Sequence, residues 1–259
     1  MKVVLSVISA AAIVVAGAGV SEAGIGFRAT GGLSHISYGD FNDWVDEVNY
    51  LLAGSSEYSD IKWVPEIGGE FYYSIVPMFE IGLGGGMIMG KSDYSISAGD
   101  ISTSFEHKVK GFPINANIYF KPNIPFASMK PYVFIGGGTY YTKLNFEVYS
   151  NYGGEQKRTS ELSSWGWGIH GGGGLEFSII PSLSLDLGVK IRWASIDGFK
   201  GTTTDLSGKT YDVYLLKGVD PDTHLPVFGP GDEDEKKIYD EGKVDLTGYT
   251  IYIGFKAGF

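Results

Sequence analysis

The sequence predicts an all-β fold: one eight-stranded, up-and-down antiparallel transmembrane β-barrel with a short helix in its first long loop. Three observations carry this. From Gly24 onward the chain falls into eight stretches of period-2 alternation, and successive side chains of a strand point to opposite faces. The connections between them are alternately long and short, as in a barrel whose turns gather at one end and whose loops gather at the other. The late stretches are apolar along one face and carry glycines and charges along the other.

The first stretch runs from about Gly24 to Tyr38 and opens into a long loop. The second, Lys62 to Ser74, ends at the tight Ile75-Val76-Pro77. The third, Met78 to Tyr94, gives way to the polar 95–103, and the fourth, Ser104 to Phe120, to the proline-containing 121–130. The fifth, Pro131 to Val148, meets the polar 149–160. The sixth, Glu161 to Ser178, turns at Ile179-Ile180-Pro181, which repeats the Ser-Ile-Val-Pro pattern of 74–77. The seventh, Ser182 to Asp197, precedes a very long loop, and the eighth, Tyr249 to Phe259, ends the sequence. Proline keeps to turns and strand starts, where its missing N–H matters least; Pro113 is the exception and suggests a bulge.

The seventh stretch decides which side faces what. Leu183, Leu185, Leu187, Val189, Ile191 and Trp193 share one face, and Ser184, Asp186, Gly188, Lys190 and Arg192 the other. Eight strands enclose a space only wide enough for side chains. Bulky residues turned inward would overfill it and leave charges outside, as a soluble sandwich or cup could not tolerate. Turned outward, they form a band that only lipid can cover, and closure pairs every backbone group as a bilayer requires.

Residues 1–23 have the form of a secretory signal peptide: Lys2, an apolar run from Val3 to Val20, then Ser21-Glu22-Ala23 before Gly24. Cleavage after Ala23 is the preferred site, with Ala18 the alternative, and residues 24–259 then form one barrel domain. The competing reading of the run is a spanning anchor. No later stretch approaches the roughly 18 apolar residues of a spanning helix. The chain has no cysteine, so disulfides do not stabilise it, and its net charge of −10 argues against a nucleic-acid surface.

The segment Gly172-Gly-Gly-Leu-Glu-Phe-Ser-Ile-Ile-Pro-Ser-Leu-Ser-Leu-Asp-Leu187 resembles the sixth-to-seventh-strand hairpin of the small OmpA/OmpX-like outer-membrane barrels. The final strand, with Tyr249, Ile251, Ile253, Phe255 and Phe259 on one face, is similar to the terminal strand that the barrel-assembly machinery reads in such proteins. With the signal peptide, the resemblance extends over essentially all of residues 24–259. It implies a bacterial outer-membrane location among lipid and lipopolysaccharide, a monomer or small oligomer, and no cofactor. The sequence departs from the family in its unusually long loops and in having no peptidoglycan-binding domain after Phe259. The role implied is structural or surface-interaction, through loops that meet an extracellular ligand. A narrow channel or carrier for small apolar molecules, as in the more distant OmpW-like barrels, is the alternative.

Extending the parity places Arg28, Glu66, Glu70, Glu80, His170, Glu176, Asp186, Lys190, Arg192 and Lys256 inside, where buried charges must pair. They form either a polar plug or, with the many inward glycines leaving an open bore, a gated path. Aromatics should ring both membrane interfaces: Tyr38, Trp63, Tyr141, Trp165 and Trp193 at the loop end, and Phe27, Tyr73, Phe79, Phe120, Tyr132, Phe177 and Phe259 at the turn end. Residues 40–52 carry Phe41, Trp44, Val45, Val48, Leu51 and Leu52 at helical spacing, with Gly54 as a stop, and should pack on the barrel mouth, lie in the interface or meet a partner. The loop 199–243 holds Asp220, His224 and the acidic run 231–237; its spacing does not match the EF-hand, and a solvated, mobile loop is expected. A lipid-modifying enzyme would need an activated hydroxyl, and His35 with Ser37 is too slight a signal.

Overall fold

In the computed structural model, which describes residues 24–52, 61–98, 101–124, 129–151, 156–205, 208–221 and 226–258, the alternation becomes a closed wall. Residues 1–23, expected as a signal peptide, and Gly54, His224 and Phe259 lie outside the described residues. The strands are β1 (Ile25–Ile36), β2 (Trp63–Val76), β3 (Phe79–Ala98), β4 (Ile101–Phe120), β5 (Met129–Ser150), β6 (Gln156–Ile180), β7 (Leu183–Ile196), five short strands β8 to β12 between Lys200 and Asp245, and β13 (Gly248–Gly258). Each of β1 to β6 pairs antiparallel with the next, β7 pairs with β13, and β13 returns to β1. Eight strands therefore close the barrel.

The register fixes its shape. From Gly26 the pairing passes through Tyr72, Gly82, Asn117, Gly136, His170, Arg192 and Gly248, and returns to β1 at Ile36. One circuit climbs from position 26 to position 36 along the same strand. That stagger tilts the strands by roughly 35–45° and leaves an interior that side chains can fill. Pro113 opens no bulge: the β3–β4 register is the same at Gly85↔Ile114 and Ile88↔Gly111, with the two rungs between them missing. Losing one N–H interrupts the ladder there without shifting it.

Outside, the wall is apolar. Leu83 is 65% exposed, and Phe71, Ile135, Ile169 and Leu187 belong to the same band. At its upper edge Phe112, Tyr141 and Trp165 stand in register across three strands, and the next outward rung is Lys110↔Lys143. Trp63, Trp193, Tyr73 and Phe79 are exposed as the girdles require. Two expected girdle residues are not: Tyr38 and Tyr132 are buried. Tyr132 sits on the inward parity of β5, and Tyr38 lies beyond the end of β1, in the turn that enters the helix. On the last strand Tyr249, Ile251 and Ile253 face outward, with Phe255 half-buried beside them.

The strands outgrow the membrane at the loop end, and the connections expected to be loose are folded. Helix α1 (Asp40–Leu52) starts from a left-handed turn at Tyr38 and Gly39, where φ is 58° and 54°. A side chain at Gly39 would meet Asp245 Cβ at 2.9 Å, so glycine is needed for space as well as for conformation. Asn42 ties the helix down by donating to the carbonyls of Ser37 (2.6 Å) and Ile61 (3.1 Å). In its described parts the segment 199–243 is folded and not a free loop. β8 (Lys200–Thr204) adds to the upper part of β6, β9 (Thr210–Val219) pairs with β8, and β10 (Pro226–Gly231) with β9. Its Phe199, Val213, Leu215 and Phe228 are buried with Phe41 and Val45 of α1. Burial of that apolar set outweighs the turn-rich composition of the segment.

Inward glycines do not leave an open bore. They are the space into which neighbouring side chains lie: a Cβ at Gly188 would stand 2.4 Å from the Tyr252 hydroxyl, and one at Gly82 the same distance from the Glu70 carboxyl carbon. Gly188→Ser should therefore cost about 1–3 kcal/mol by overpacking. Leu187→Arg, on the opposite face, should cost about 2–4 kcal/mol by placing a cation in lipid. Urea unfolding of the barrel in lipid vesicles measures both. A harmless Gly188→Ser would mean that the lumen has spare room.

Candidate functional site

Parity sends the polar face of every strand inward, so the lower half of the lumen fills with charge. Arg28 of β1 is 3% exposed, and Asp186 of β7 is fully buried. The guanidinium donates to Glu70 at 2.7 Å and to Glu176 at 3.1 Å. Its Nε stands 3.0 Å from Asp186 Oδ2 as an ion pair without hydrogen-bond alignment. Its central carbon lies 4.2 Å from the centre of the Tyr119 ring. Lys121 reaches Glu80 at 2.6 Å and Glu176 at 2.7 Å, and Lys256 reaches the same two carboxylates at 2.6 and 3.1 Å. Three cations thus face four carboxylates in one connected cluster.

A second cluster lies nearer the loop end. Glu66 Oε1 accepts from Lys190, while its Oε2 accepts from Arg192 at 3.0 Å and from Ser34 and Thr250. With two cations on one acid, this cluster balances the surplus acid below. Tyr119 donates to Glu70 at 2.9 Å, Tyr132 to Asp186 at 2.5 Å, and Asn117 bridges Glu70 to His170. A cavity of about 80 Å³ bordered by Arg28, Glu70, Asn117, His170 and Lys190 remains between the clusters, enough for a few waters.

All ten lumen residues named from parity point inward, but their pairing was not fully legible. Lys190 bonds Glu66 and not Glu176. Lys121 was missed because the sequence places it in a connection, just past the end of β4. Its inward direction follows from the same parity carried two residues beyond Tyr119. Elsewhere, His35 faces outward between Trp63 and Tyr249, at ring distances of 5.1 and 5.3 Å. In the acidic run, Asp232 accepts the backbone N–H groups of Asp234 and Glu235, both at 2.9 Å, which closes a turn on itself.

Above the clusters the interior changes from polar to apolar. Ile36, Val64, Ile88, Val109, Leu144, Leu162, Ile196 and Leu246 are buried across the bore. Arg192 stitches the two layers together by donating Nε to the Leu246 carbonyl at 2.7 Å. Beyond this seal, under α1 and β10, lies a pocket of about 260 Å³ walled by Phe41, Trp44, Tyr94, Phe105, His107, Phe146 and Phe228. Phe41 stacks on His107 at 4.4 Å, and Trp44 donates Nε1–H to the Pro226 carbonyl at 3.0 Å. Burial pushes the His107 imidazole down to about 3, so it is neutral near pH 7. The pocket was invisible to sequence reasoning because its walls come from six separate elements of the chain.

No protein-family model matches the chain, and no curated protein is similar to it. Among solved structures it is similar to the outer membrane protein OprG from Pseudomonas aeruginosa, at 15% identity over 92% of this chain and 96% of that one, with a TM-score of 0.44. A major outer membrane protein from Thermus thermophilus matches at 12% identity over 91% and 99%, with a TM-score of 0.47. Neisserial surface protein A matches at 11% identity over 91% and 97%, with a TM-score of 0.37. The barrel itself rests on the chain's own strand pairing.

Removing Arg28 leaves four carboxylates around two lysines. Arg28→Met should therefore destabilise the barrel by about 3–5 kcal/mol, the usual cost of stranding buried charge. Glu176→Gln and Lys256→Met should couple by about 0.5–3 kcal/mol in a double-mutant cycle, whereas Glu176→Gln and Lys190→Met should add independently. Coupling to Lys190 instead of Lys256 would contradict the two-cluster arrangement.

Proposed function

We propose that the protein is a non-enzymatic barrel of the bacterial outer membrane whose lumen is closed and whose working part is its outer half. Three features support the location. Only a closed barrel or a helix can satisfy its backbone in lipid, the exterior carries an apolar band edged by aromatics and then lysines, and the N-terminal segment has the form of an export signal. Short turns then face the periplasm, and α1 with the added strands faces the exterior. Outer-membrane lipid and lipopolysaccharide cover the band. The assembly machinery reads the last strand, with Tyr249, Ile251, Ile253, Phe255 and Phe259. A closed wall leaves no strand edge within the membrane, which favours a monomer.

The observation that carries the closed-lumen reading is the stacking of two different fillings. An ion can enter the polar clusters only after displacing Arg28, Lys121 or Lys256 from paired carboxylates. It must then cross a mainly aliphatic buried layer in which a few hydroxyls, such as those of Tyr140 and Thr142, cannot replace its lost hydration shell, a costly transfer. Channel or carrier action would require both layers to move. The outer half has the opposite character: α1 and the described strands of the segment 199–243 form a folded extracellular surface over an aromatic pocket, which suits recognition.

Reconstituted in planar bilayers, the protein should show no sustained openings in either voltage direction. Stable single-channel steps would reject the closed lumen in favour of a narrow channel.

A further inference from the structure

We propose that the pocket under α1 and β10 binds a small aromatic carboxylate, held by stacking on its rings and by Arg158; this rests on the outer half being the working half. The volume sets the scale. An engineered apolar cavity of about 150 Å³ holds one benzene, so about 260 Å³ suits one or two fused rings. Phe41 and Trp44 enter from the helix, Phe146 from β5 and Phe228 from β10. Phe41 and Phe228 meet edge to face at 5.7 Å. Rings held in this way present both faces and edges, the surfaces to which a flat aromatic group packs.

Charge supplies the second half of the argument. Arg158 lies on the inward parity of β6 and lines the pocket. Its Nε donates to Thr203 Oγ1 at 3.2 Å, and among the described residues its guanidinium has no acidic partner. The two acids that also reach the pocket wall are already held from outside. Lys91 contacts Glu106 at 2.6 Å, Lys108 pairs with the same carboxylate, and Lys157 contacts Glu147 at 3.0 Å. With Asp93 on Lys91, these three acids face four cations, and among the described residues Arg158 is the one left over. A guanidinium fork beside apolar rings is matched by a carboxylate on an aromatic body, which can bond the planar fork at two points.

The seal below makes the pocket a terminus and not a way station. Leu144 and Leu162 continue inward on the strands that bear Phe146 and Arg158, and both are buried. A ligand entering from outside therefore stops there.

The test uses the folded protein in lipid vesicles with two probes, 2-naphthoate and its uncharged amide, titrated calorimetrically against protein-free vesicles. Saturable one-site binding is expected, with the carboxylate bound at least about tenfold more tightly, the worth of one charged hydrogen bond. Arg158→Gln should abolish that preference. Arg158→Lys should restore part of the preference, and Phe228→Ala should weaken both probes. Absence of saturable binding, or wild-type preference in Arg158→Gln, overturns the proposal. Conductance measured on the same preparation separates the two readings, because openings would sink the closed lumen while leaving the binding result to stand or fall alone.

Discussion

Arg28 sits where the constraints on this fold converge. Lipid outside obliges the wall to send its polar groups inward, and an eight-stranded bore gives them no bulk water to dissolve in. A cluster of carboxylates in that space is stable only if cations are threaded among them. Arg28 does this with one planar group, touching Glu70, Glu176 and Asp186 while its face lies against Tyr119. A lysine could neutralise charge there but could not offer a fork and a flat face together. The buried tyrosines supply the remaining hydrogen bonds, and the inward glycines supply the room for their rings.

That arrangement shapes the rest of the molecule. Because the polar clusters occupy the membrane level, the apolar side chains that a soluble protein would place in its core appear in two other positions. One set covers the outside as the lipid-facing band. The other rises above the membrane, where the extended strands, α1 and the segment 199–243 gather around Ile88, Leu144 and Leu246. The protein thus has an ordinary hydrophobic core, but it lies outside the bilayer and closes the barrel's mouth. Net charge balances between the clusters, so neither needs a solvated counter-ion.

Most of the wall was legible from period-2 alternation, because a side chain's direction in a strand depends only on parity. Parity named ten lumen residues, whose side chains lie inside the wall. It did not say which cation meets which acid, since that depends on the stagger of the strands. It also stopped at strand ends, which lost Lys121 and sent Tyr38 to the girdle. The segment 199–243 read as loop because its strands are short and interrupted by Pro226, Gly229 and Pro230. Only tertiary burial of Phe199, Leu215 and Phe228 makes them strands. Pro113 read as a bulge because its missing donor is visible in sequence, whereas the intact register on either side is not.

The central claim is that the lumen is a closed, paired network around Arg28, and solid-state NMR of the protein in bilayers tests it at the atoms concerned. Nitrogen–carbon dipolar recoupling between the labelled Arg28 guanidinium and the side-chain carboxyl carbons of Glu70, Glu176 and Asp186 should show three close contacts, matching N···O separations of 2.7, 3.1 and 3.0 Å. The guanidinium protons should exchange slowly with bulk water. A guanidinium that shows no carboxylate contact and exchanges freely would mean that the bore is wet and the barrel is held together in another way.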